Sequence, residues 1–74
     1  MNNLLLNKNL FSMQAVVKSI DDYSKYASIV LEENVGYWNI IFDNCVHDKT
    51  LTMREFENYV IGLEVKLGIT DEDL

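Results

Sequence analysis

Cysteine and histidine each occur only once in this 74-residue chain. A lone Cys45 excludes an intramolecular disulfide. With no second cysteine or histidine, Cys45, His47 and Asp48 also lack the second ligand pair on which a structural zinc site draws. Basic residues are scarce too. Six Lys and Arg stand against twelve Asp and Glu, for a formal net charge of -6 and a pI near 4.4. Such a chain repels phosphate backbones and anionic lipid, so neither nucleic acid nor a membrane is an expected partner. No apolar run approaches the roughly 18 residues of a membrane span. The leucine run in "MNNLLLNKNL" is shorter than the apolar segment of a signal peptide and lacks its basic start. The expectation is a cytoplasmic protein. Nor is there a glycine-rich loop of the kind that cradles phosphate.

What is abundant is apolar surface, since 49% of the residues are hydrophobic, well above the composition of disordered segments. The length predicts one domain, with an ordered core over about residues 3–68 and an acidic tail at 69–74. A domain this small buries only about 60% of the surface that its unfolded form exposes. Self-association or a partner is a common supplement at that size.

Along the chain, "NLLLN" predicts a short strand at residues 3–7, followed by a turn at "NKN". Ser12 is placed to cap a helix over 13–25, with Met13, Val16, Val17, Ile20 and Tyr23 at helical spacing, and Phe11 and Val16 spaced as a hydrophobic staple. The period then changes to two. "YASIVLEE" sets Ala27, Ile29 and Leu31 against Ser28, Val30 and Glu32, and "YWNIIFDN" sets Trp38, Ile40 and Phe42 against Tyr37, Asn39, Ile41 and Asp43. The intervening "NVG", with Gly36 free to take a positive φ, makes these strands a hairpin.

"TMRE" reads as a capping box that starts the second helix at Thr52, with Glu55 reaching back to the Thr52 N–H and Leu51 and Phe56 as a second staple. Met53, Phe56, Val60, Leu63 and Leu67 form its apolar stripe, and Gly68 its C-terminal cap. Gly62 inside this helix costs about 1 kcal/mol relative to alanine unless close packing requires it. Glu57 and Glu64 are expected toward solvent.

The fold class that follows is α+β, a small β-α-β-β-α domain. Strand three enters the gap left by the helical crossover, which predicts sheet order 1-3-2 with both helices on one face. Strand one beside strand two is the alternative.

Three functional readings compete in these residues. "NCVHD" supplies thiol, imidazole and carboxylate for a nucleophile or a metal, yet Cys45 as a small buried hydrophobe and "HDKT" as a solvated turn explain the same residues more simply. Asp21, Asp22, Glu32 and Glu33 read as solubilising groups. No catalytic or cofactor-binding constellation is identified, so the chain is expected not to be an enzyme. The third reading concerns the sheet. If both helices cover one face, Val30, Tyr37 and Ile41 remain on the other with nothing to cover them, and the two sheet edges can accept an added strand.

The run "LFSMQAVVKSIDDYSKYASIVLEE", with its Phe-Ser start, Ala15 and Val16 and direct passage into an alternating strand, resembles the HxsD-like proteins of His-Xaa-Ser peptide-modification systems. "TMREFENYVIGLE", with Glu55, Phe56, Asn58, Tyr59, Val60 and Ile61, is similar to that family's closing helix. The likeness spans about residues 10–65, and "NCVHD" departs from it. It implies an accessory protein that binds a precursor peptide, a radical S-adenosylmethionine maturase, or both, the iron–sulfur chemistry belonging to the partner. The expected partner-binding residues are Val30, Tyr37 and Ile41 on the sheet and Glu57 and Tyr59 on helix two. A small homodimeric structural or regulatory protein, such as an immunity-type inhibitor, is the alternative.

Overall fold

The computed structural model describes residues 3–66. The expected Leu67 contact, the Gly68 cap and the acidic tail lie outside the described residues. The elements run β1 (Asn3–Asn7), α1 (Met13–Asp22), β2 (Ala27–Asn34), β3 (Tyr37–Cys45) and α2 (Lys49–Glu64). The three strands form one antiparallel sheet in the order β1-β3-β2. Leu6, Trp38, Ile40 and Phe42 alternate onto one face and are buried with Ala15 and Val16 of α1 and Phe56, Val60 and Leu63 of α2. Both helices therefore lie on that face.

The hairpin closes at Asn34 opposite Tyr37, and Gly36 takes φ +88°, a left-handed value that residues with a Cβ rarely adopt. Its carbonyl accepts the Lys8 N–H at 3.0 Å. The hairpin is not regular throughout. Ser28 lies opposite Asn44 but Ile29 opposite Phe42, so Asp43 is an extra residue in β3. This bulge breaks strict alternation. It brings Cys45 opposite the buried Ala27, where the half-buried thiol side chain packs against the core.

Ser12 caps α1 as expected, its Oγ accepting from the Ala15 N–H at 3.2 Å, and Phe11 packs against the core cluster to which Val16 belongs. Two expectations for this helix need correction. It ends at Asp22 rather than at 25, because Tyr23 closes the last turn and its carbonyl accepts the N–H groups of Tyr26 and Ala27, turning the chain into β2. The buried face also lies further round. Met13 and Val17 are exposed, while Ala15 and Ser19 are fully buried. Ser19 tolerates this because its hydroxyl donates to the Ala15 carbonyl at 2.7 Å, leaving no unsatisfied donor.

The start of α2 is corrected as well. Asp48, not Thr52, is the cap: its Oδ2 accepts the Leu51 N–H at 2.9 Å, and its carbonyl accepts the Thr52 N–H, the first helical bond, at 2.9 Å. Thr52 is one turn inside the helix and buried, with its hydroxyl donating to the Asp48 carbonyl at 2.9 Å. The segment "HDKT" is thus partly helix, not a solvated turn. Leu51 is exposed and forms no staple. Glu64 does not face solvent either. It is half-buried and accepts from both the N–H and the hydroxyl of Ser12, at 3.0 and 3.1 Å, joining the end of α2 to the start of α1.

Candidate functional site

Among the described residues, this packing leaves an open sheet face and a cleft on the helix side. The first is the outer face of the sheet. Val30 sits opposite Ile41, which lies opposite Asn3; Glu32, Asn39 and Leu5 form the next row, and Asn34, Tyr37 and Asn7 the last. Val30 and Leu5 are half exposed and Tyr37 is exposed, while Ile41, in the central strand, is half-buried between its neighbours. The structure thus places Val30, Tyr37 and Ile41 together on one surface, and adds Leu5, which the poor alternation of "NLLLN" concealed. Polar groups on this face are paired locally: Asn39 donates to Glu32 at 3.1 Å and accepts from Asn3 at 2.9 Å.

Glu57 and Tyr59 are not brought together. Residues two apart on a helix lie about 200° apart around its axis, and Phe56 and Val60, facing the core, separate the two flanks. Glu57 is half-buried on one flank. Tyr59 lies on the other and lines the second surface.

That second surface is a cleft of about 540 Å³ on the helix side, lined by Asp22, Tyr23, Tyr26, His47, Thr52, Glu55 and Tyr59. Four chain segments build it. The turn after α1 supplies Tyr23 and Tyr26, and the Val46 N–H donates to the Tyr26 carbonyl at 2.8 Å, tying the His47 segment alongside. Because α2 starts at Lys49, Glu55 is free of any capping role and stands one turn before Tyr59 on the same flank. Tyr23 is the pivot, its ring 5.4 Å from that of Phe56, 5.7 Å from Tyr26 and 5.4 Å from Tyr59.

The electrostatics follow from these contacts. The Tyr59 hydroxyl donates to Asp22 Oδ2, and Lys18 Nζ lies 3.5 Å from the same oxygen. The Tyr59 bond holds the Asp22 carboxyl below its usual range against the opposing effect of burial, with Lys18 assisting. The same bond holds the Tyr59 hydroxyl above its usual value. Burial, with the Glu55 carboxylate and Tyr26 nearby, raises Tyr23. Tyr23 and Tyr59 therefore keep their protons at neutral pH, and the cleft is aromatic and acidic.

Cys45 and His47 do not share this site. His47 lines the cleft, whereas Cys45 lines a separate shallow recess with Tyr26, Ala27 and Asn44. Asp48 is engaged as the cap of α2. Among the described residues no three of His, Cys, Asp and Glu converge as metal ligands would, and no helix is long and apolar enough to cross a membrane. Comparisons with protein families, curated proteins and solved structures find no match for this chain.

Proposed function

We propose that this chain is a non-enzymatic binding protein that accepts an extended peptide along the free edge of β2. In its biological setting it would present a precursor peptide to a radical S-adenosylmethionine maturase. The observation that carries the reading is the side of the sheet that no other described residue covers, together with its long outer strand. β2 offers eight residues at the edge, with neither proline nor lysine among them to discourage pairing. An added strand draws affinity from main-chain hydrogen bonds and selectivity from alternate side chains. Here its outward residues would meet Val30 and then Glu32, which favours an apolar residue followed two positions later by a basic one.

Charge supports a basic peptide over a second copy of the chain, since each copy carries -6 and like charges oppose association. Holding peptide and maturase together raises their effective concentration, which is help that requires no nucleophile. The resemblance of residues 10–65 to HxsD-like proteins supports the same assignment and rests on those residues alone.

The test is retention of a maturase and its precursor peptide by the purified chain, compared with Val30→Lys. Val30 is half exposed, so the variant should keep the fold, as circular dichroism would verify. Peptide affinity should fall about tenfold or more, and N-methylation of alternate peptide residues should abolish binding. Retention that Val30→Lys and N-methylation both leave unchanged would refute the assignment. A dimer in sedimentation that Val30→Lys dissociates would instead support the homodimeric alternative.

A further inference from the structure

The geometry points to a second binding site: the cleft framed by Tyr23, Tyr26 and Tyr59 takes an organic cation of the guanidinium or alkylammonium class. Three observations carry this. The three rings line one cleft, and Tyr26 and Tyr59 each meet Tyr23 at an inclination, 70° and 58°, and not in a parallel stack. Tyr23 is half-buried against Phe56 and forms the floor, whereas Tyr26 and Tyr59 stand 47% and 37% exposed as walls. The cleft is also lined by two carboxylates, Asp22 and Glu55, the second close enough to act on the Tyr23 hydroxyl.

Each ligand class can be weighed against that lining. An anion is repelled by both carboxylates. A neutral apolar ligand would fill the aromatic space but strip water from the carboxylates without replacing it, which is costly. A cation whose charge is spread over a weakly hydrated head group meets the negative faces of the rings and the carboxylates together. Lys18 reaches Asp22 only across 3.5 Å, in an exposed pair one helical turn apart, a weak competitor. The cleft volume of about 540 Å³ leaves room for the stem that carries the head group, and the charge of -6 steers cations toward the chain. The site lies on the helix side of the sheet, so it does not rest on peptide binding at the β2 edge.

The experiment titrates the full chain, with 13C-labelled tyrosine rings, against N-acetyl-arginine methylamide, tetramethylammonium and N-acetyl-citrulline methylamide, the last being the uncharged counterpart of the first. Saturable shifts of Tyr23, Tyr26 and Tyr59 are expected with both cations and not with citrulline. Tyr26→Leu and Glu55→Gln change exposed side chains, and each should weaken binding about five- to tenfold with the amide spectrum otherwise unchanged. If an arginine-containing peptide binds more tightly than the blocked residue, the site belongs to a peptide side chain; equal affinities assign it to a free small cation. Absence of saturable shifts with both cations would overturn the proposal. So would citrulline binding as well as arginine, or full affinity in a folded Tyr26→Leu.

Discussion

Replacing Asp48 with alanine removes the acceptor for the Leu51 N–H and leaves the first helical bond, from the Thr52 N–H to the carbonyl of residue 48, in place. Loss of an N-terminal cap typically costs about 1 kcal/mol, with a range of roughly 0.5–2. The Leu51 contact is exposed, so water can reach the freed donor and the cost belongs near the middle of that range. For a domain of this size about 1 kcal/mol lowers the melting temperature by about 4–8 °C. Urea unfolding followed by circular dichroism and Trp38 fluorescence measures it, and an unchanged denaturant slope would show that stability alone has moved. The control is Glu55→Gln. A capping box at Thr52 would make Glu55 the important residue, whereas Glu55 in the cleft wall predicts a change within about 0.5 kcal/mol. An Asp48→Ala variant as stable as the parent, beside a Glu55→Gln variant weakened by about 1 kcal/mol, would refute the assigned start of α2.

Gly62→Ala should stabilise the domain by about 0.5–1 kcal/mol, because a Cβ there meets open space; a lower melting temperature in the variant would show that the site is not an ordinary helical one. Tyr59→Phe removes the main influence that lowers the Asp22 pKa, so a carboxyl 13C titration should show the Asp22 midpoint rising toward 3.8, and an unmoved midpoint would count against that hydrogen bond. In the parent, the lowered Asp22 pKa gives stability that is present above pH 3.8 and lost as pH falls through the folded value. The raised Tyr59 pKa gives stability that is present below pH 10.0 and lost as pH rises through its folded value.

Much of the architecture was legible because it is written in short periods. Trp38, Ile40 and Phe42 alternate cleanly, Gly36 marks the turn, and a crossover that leaves a gap has a natural occupant in β3. Ser12 was legible as a cap because Phe11 and Val16 flank it at the right spacing. The start of α2 was not, since Asp48 and Thr52 are both competent caps four residues apart. Burial of Thr52 decides between them, and burial is a tertiary property. Glu64 was misplaced for the same reason: its partner, Ser12, is 52 residues away. The cleft left only faint local signals, the Tyr23–Tyr26 spacing of three and the Glu55–Tyr59 spacing of four. Neither has meaning until the end of α1 is set beside the first turns of α2.

The surplus residue at Asp43 reaches further than its own strand. Had β3 kept even alternation to its end, Asn44 would share the side of Phe42, and Cys45 would face outward. The insertion resets the phase so that a small thiol, not a polar amide, closes that end of the core. It also delivers the chain to Val46 in step with the Tyr26 carbonyl. His47 thus reaches its place beside the tyrosines because one amino acid upstream is out of count with its neighbours.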